Sequence, residues 1–192
     1  MTLFSSAALA ALILVAAPSL AFAHHGVIHT GCPTGQTFTA GDITVSGAFV
    51  RATPKGAQSA GGYLTISNTG SAADTLTGAS SEAASDIGIH SMAMNGDMME
   101  MRPVEGGLEV PAGGSVTLDP MGYHLMLTGM EQPFVEGQCV QMILHFATAG
   151  DLPIELSIGG MAQKVPPTGE GTSMPRDDMS GMDMSGMSME GM

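Results

Sequence analysis

The sequence predicts an all-β domain, an antiparallel Greek-key β-sandwich, and three observations carry that prediction. From about Gly41 to Lys164, short runs rich in Val, Ile, Thr and Leu alternate with turn residues. Nowhere in that span is a 3.6-residue apolar period sustained. The chain also carries 27 glycines and 11 prolines, which suits many tight turns.

Residues 1–23 precede the domain. They are apolar, with Ala, Leu, Val and Ile dominating Ala7 to Ala17, and end in Ala21-Phe22-Ala23, an A-x-A-type cleavage site. This reads as a secretory signal peptide, although no Lys or Arg precedes the apolar run. The run is too short for a confident membrane span, so no stable membrane association is expected after cleavage. Residues 24–40 form an N-terminal segment with His24, His25, His29 and Cys32. A free amine followed by a histidine can hold Cu(II) through nitrogen donors; a terminus with incidental histidines is the plainer alternative.

Residues 41–167 form the domain. The expected strands are Ile43–Arg51, Gly62–Asn68, Asp74–Ala79, Asp86–Met92, Met98–Val104, Ser115–Leu118, Tyr123–Gly129, Gln138–Phe146, Ile154–Ile158 and Gln163–Val165. Turn signals separate them, among them Asn95-Gly96-Asp97, Pro111-Ala-Gly-Gly114 and Asp119-Pro120. In Gln138–Phe146 the face Val140, Met142, Leu144, Phe146 is uniformly apolar and should point into the core. Cys139 and His145 then lie on the outer face, where His145 reads as structural or solvated.

The two cysteines, Cys32 and Cys139, match no zinc or redox spacing. Export to an oxidising compartment makes a disulfide the expectation. An N-terminal segment laid along the outside of the sheet would bring Cys32 to Cys139.

The chemistry concentrates between His90 and Met126. Two triplets, His90-Ser91-Met92 and His124-Leu125-Met126, flank a methionine cluster at Met98, Met99 and Met101. On a strand, i and i+2 share a face, so each H-x-M triplet offers an imidazole and a thioether in one direction. Thioether donors select Cu(I) over Zn, Mg or Ca, and the segment has no cysteine for a zinc-finger site. Methionine is also a common gap-filler in cores, but two triplets with a cluster between them favour a copper site.

After Pro167 the composition changes. Residues 168–192 are mostly Gly, Ser, Asp and Met, with seven of the 18 methionines and Met-Ser-Gly-Met twice. Nothing there offsets the entropy of ordering, so a disordered copper-scavenging tail is expected.

The formal net charge is −13. That excludes nucleic acid, which needs clustered Lys and Arg, and argues against anionic lipid. It suits a protein that attracts cations or basic partner patches.

Taken together, these residues resemble the PCuAC family of periplasmic copper chaperones. The matching segments are Arg51-Ala-Thr-Pro54, Gly61-Gly-Tyr-Leu-Thr-Ile-Ser-Asn68, His90 with Met98-Met-Glu-Met-Arg102, Gly107-Leu-Glu-Val-Pro-Ala-Gly113 and Gly122-Tyr-His-Leu-Met126. The resemblance covers roughly residues 41–160 and implies a cupredoxin-like β-sandwich. Its ligand pattern, H-x10-M followed by H-x-M, falls on His90, Met101, His124 and Met126. One departure is Phe49, where such sequences commonly carry Trp. The resemblance also implies delivery of Cu(I) to the CuA centre of cytochrome c oxidase subunit II, alone or with a Sco-type copper protein, by a monomer in the periplasm.

Other classes fit less well. A copper-buffering or resistance protein would lean on the tail and on His24-His25. A blue-copper electron carrier needs a Cys thiolate with two His, and Cys139 is better explained as a disulfide partner. No G-x-S-x-G, H-E-x-x-H or catalytic Cys/His arrangement is present, so an enzyme is not expected.

Overall fold

The computed structural model describes residues 28–33 and 35–167. The expected signal peptide, the His24-His25 end and the methionine-rich tail lie outside the described residues. Twelve strands run in chain order: β1 Ile28–Thr30, β2 Thr37–Ala40, β3 Ile43–Arg51, β4 Ser59–Asn68, β5 Asp74–Ser80, β6 Asp86–Asn95, β7 Met98–Pro103, β8 Leu108–Val110, β9 Ser115–Leu118, β10 Tyr123–Thr128, β11 Gln138–Phe146 and β12 Gly150–Gly159. The all-β expectation holds, and no helix occurs among the described residues.

The ladder runs β7-β6-β10-β9-β4-β3-β12-β11-β5-β8, with β1 on β11 and β2 on β3. One half presents Ile87, Ile89, Leu125, Leu127, Leu64 and Ile66 to the core. The other presents Leu76, Val110, Val140, Met142, Leu144, Leu156 and Ile158, and all belong to one buried cluster. The β11 alternation is as expected: Val140, Met142, Leu144 and Phe146 are buried, while Gln141 and Ile143 are exposed.

Strand β3 joins the halves. Its first part pairs with β2, and its last residues pair with β12, as in Ser157↔Phe49. The change of partner coincides with a register shift between Ser46 and Phe49. Gly47 sits at this bulge with φ +62°, a conformation that side chains resist. A Cβ there would also stand 2.9 Å from Pro166 Cγ.

Several expectations are corrected. The sheet is mixed, not wholly antiparallel: β12–β3 and the single β10–β9 pairing are parallel. Residues 28–40 contribute β1 and β2, so the sheet reaches beyond the boundary expected at residue 41. The strand expected at Gln163–Val165 does not form. There the Gln163 side chain instead accepts the Gly160 N–H at 3.0 Å, and its carbonyl accepts Arg51 Nε at 2.7 Å. These bonds hold a turn where a strand would need a free edge.

Cys32 and Cys139 are joined, with Cα atoms 5.5 Å apart. The N-terminal segment first joins the sheet as a strand, with His29 opposite Cys139 and Ile28 opposite Val140, and further on Gln36 bonds Glu155 of β12.

Candidate metal centre

Three adjacent strands build the site. On β6, Ile87 and Ile89 point into the core, so Gly88, His90, Met92 and Met94 point outward. On β10, Leu125 and Leu127 point inward, so His124 and Met126 point outward. Directly paired residues share a face. His124 pairs with His90, Met126 with Gly88, Met92 with Met101 and Met94 with Met99. One outer face therefore carries both histidines and five methionines.

His90 is the centre of this patch. His124 stands directly across, with ring centroids 5.9 Å apart and planes tilted by 37°. Met101 on β7 and Met126 on β10 are both diagonal to His90, on opposite flanks, a separation that long side chains span. The four residues expected as ligands are thus brought together. Met92 stands opposite Met101 at the same station, so the strand pairing alone does not rank the two. Met98 falls opposite Asn95, on the other face of the hairpin.

Two glycines make room. A Cβ on Gly88 would lie 3.3 Å from His90 Cε1, so the imidazole folds over the glycine towards the Met126 station. On β4, opposite Met126, a Cβ on Gly61 would collide with the Tyr63 hydroxyl. Tyr63 packs on Phe49 with ring centroids 5.1 Å apart, and Arg51 lies over its ring. Phe49 is buried under this cover, so the departure from Trp is absorbed in packing beside the patch.

The electrostatics leave the histidines ready to bind a soft cation. His124 is only 5% exposed. Burial pushes its pKa below the ordinary histidine value. The nearby His90 pushes the same way, against the Gly122 carbonyl and Asp119. Its Nδ1 lies 3.3 Å from the Gly122 carbonyl, which favours the tautomer protonated at Nδ1 and leaves Nε2 with a lone pair. His90 Nδ1 is buried and has no hydrogen-bond partner among the described residues. A buried polar atom without a partner is costly, and a metal ion would satisfy it. Two imidazoles with two uncharged thioethers suit Cu(I).

A second cluster does not make a site. His29, Cys139 and Glu155 lie within 4.8 Å of one another, but Cys139 is in the disulfide and His29 Nε2 is 2.6 Å from Glu155 Oε1. His145, read as structural, bridges strands on the outer face. Its Nε2 is 2.9 Å from Ser80 Oγ and its Nδ1 2.7 Å from Asp151 Oδ1.

A family model described as "Putative lipoprotein LpqE-like" matches residues 43–158, more than half of the chain. The chain belongs to this family. A relative, "Putative lipoprotein Lxx21020" of Leifsonia xyli subsp. xyli (strain CTCB07), is 32% identical over 116 residues, covering 60% of this LpqE-like chain and 69% of the relative. Among solved structures, the apo PCuAC domain from PmoF1 is 25% identical with a TM-score of 0.56, covering 65% of this chain and 99% of that one. The copper-bound PCuAC domain from PmoF2 has the same TM-score at 22% identity, covering 65% and 98%. The LpqE-like chain thus has the cupredoxin-like β fold of PCuAC domains.

Proposed function

We propose that this protein is a periplasmic metallochaperone that carries Cu(I) on His90, Met101, His124 and Met126. The observation that carries the proposal is the direct pairing of His90 with His124 on an outer face, with His90 Nδ1 buried and unpartnered among the described residues and methionines on both flanks. The PCuAC fold, seen copper-bound in PmoF2, supports it. Such a site suits transfer. Thioethers are neutral and can leave one at a time, and a thiolate acceptor holds Cu(I) more tightly than they do. The recipient proposed is the CuA centre of cytochrome c oxidase subunit II, reached directly or through a Sco-type protein. The protein acts as a monomer.

The lipoprotein names of the relatives support a place in the cell envelope. The location proposed within it is the periplasm, reached by signal cleavage after Ala23. Cu(I)-loaded protein mixed with an apo CuA domain should lose its copper to that domain. Retention of copper would favour the second reading, periplasmic copper buffering, for which the seven methionines of residues 168–192 speak. That reading also has room for Cu(II) at His24, His25 or the tail.

A further inference from the structure

The β6–β7 hairpin carries more thioethers than the His90 centre uses. Met94 and Met99 are a direct cross-strand pair, 64% and 44% exposed, one station beyond the Met92–Met101 pair. All four share the outer face with His90. The opposite face of the hairpin carries Met98 and a polar group in which Asn95 Nδ2 and Arg102 both donate to Glu100 Oε2, at 3.1 and 2.8 Å. The Asn95–Glu100 bond crosses between the two strands and supports the register that sets Met94 against Met99. Neighbouring large apolar side chains left exposed mark a surface that binds something. Here each carries a soft sulfur on a flexible stem, on the face that also bears the histidines.

We infer that Met92, Met94 and Met99 form a second, outer Cu(I) site that loads the His90 centre. The inference rests on the reading of that centre as a Cu(I) site. Paired Cβ atoms across antiparallel strands lie about 4.5–5.5 Å apart, so two thioethers can meet on one ion, and Met92 follows on the same face. Three thioethers hold Cu(I) without proton release and without changing its oxidation state. The ion then moves inward by exchange of ligands. Met94 and Met99 release it as Met101 and the histidines engage, while Met92 borders both sites. Imidazole at the inner end supplies the nitrogen donors that the outer end lacks.

The test uses the full chain with methionine methyls labelled with carbon-13 and assigned by single Met→Leu substitutions. Cu(I) is added as its acetonitrile complex, without oxygen. The first equivalent should shift Met101 and Met126, and a later one Met94 and Met99. In a Met94→Leu/Met99→Leu variant, bound copper should fall by one ion per chain, with first-equivalent affinity changed less than about twofold. Fixed Met94 and Met99 signals through saturation, or unchanged copper content in the variant, overturns the outer site. So does a large loss of first-equivalent affinity in the variant, which would move these residues into the inner site. If Met101 and Met126 also stay fixed, the Cu(I) reading of the His90 centre falls separately.

Discussion

Two pairs of histidines lie on outer faces of the same sandwich, and they are held differently. His29 and His145 each meet a carboxylate, Glu155 at 2.6 Å and Asp151 at 2.7 Å. His90 and His124 face each other, and His90 Nδ1 has no hydrogen-bond partner among the described residues. A carboxylate partner ties an imidazole into the scaffold. Burial of His124, with His90 beside it, opposes charging of His124 and leaves it a nitrogen lone pair for a cation. The first pair fastens β1 and β5 to β11 and β12. The second is open to metal, with methionines around it.

The largest effect should break the fastened region alone. The Cys32–Cys139 bond closes a separation of 107 residues. Its reduction should cost about 4–5 kcal/mol of stability in the chain-entropy model. Chemical denaturation with and without a reductant measures this. With the freed thiols alkylated, the first-equivalent Cu(I) affinity of the fraction still folded should stay unchanged, because no cysteine lies in the His90 patch.

Next in size is removal of a metal-facing histidine. His90→Ala or His124→Ala should weaken first-equivalent Cu(I) binding by on the order of a hundredfold or more, since even residues that only support a ligand cost about ten- to a hundredfold. Competition with a Cu(I) chelator measures it, with the fold checked by circular dichroism. His145→Ala in the same assay should change affinity by less than about twofold, and an equal loss would erase the distinction between the pairs.

Acid should separate the pairs further. The lowered pKa of His124 keeps it neutral in the folded protein at pH values where the unfolded chain, with histidine near about 6.5, already takes up a proton. The unfolded state then binds more protons, so apo-protein stability should fall as pH drops from about 6.5 through the lowered value. Protons compete with Cu(I) for the imidazole of the apo-protein, so Cu(I) affinity should fall as pH drops through the lowered value of His124. Denaturation of the apo-protein and copper competition, both run over about pH 7 to 4, test the two statements.

The smallest effect belongs to the structural pair. The His145–Asp151 contact is well exposed, and His145→Ala should cost no more than about 1 kcal/mol. A thermal melt at fixed pH reads it.

Much of this was legible from side-chain periodicity. The alternation in Gln138–Phe146 separated the core face from the face of Cys139 and His145, and the two H-x-M triplets shared a face as expected. What the local pattern could not supply was register. His90 meets His124 because β6 and β10 pair with a particular offset, fixed by the burial of Ile89 against Leu125. The short strands β1, β2 and β8 were missed because three or four residues carry little pattern and owe their conformation to distant partners. The parallel β3–β12 pairing escaped for the same reason. Gly47, an inconspicuous residue within a good strand pattern, was the local sign of the bulge that permits it.

The central claim is a mixed imidazole and thioether shell around one Cu(I). X-ray absorption at the copper edge, on full-length protein loaded with one equivalent or less of Cu(I), tests it most directly. Two nitrogen and two sulfur scatterers are expected, with the nitrogen scattering lost in a His90→Ala/His124→Ala variant. A shell of sulfur alone in the unmodified protein would place the first copper among the methionines and contradict the His90–His124 centre.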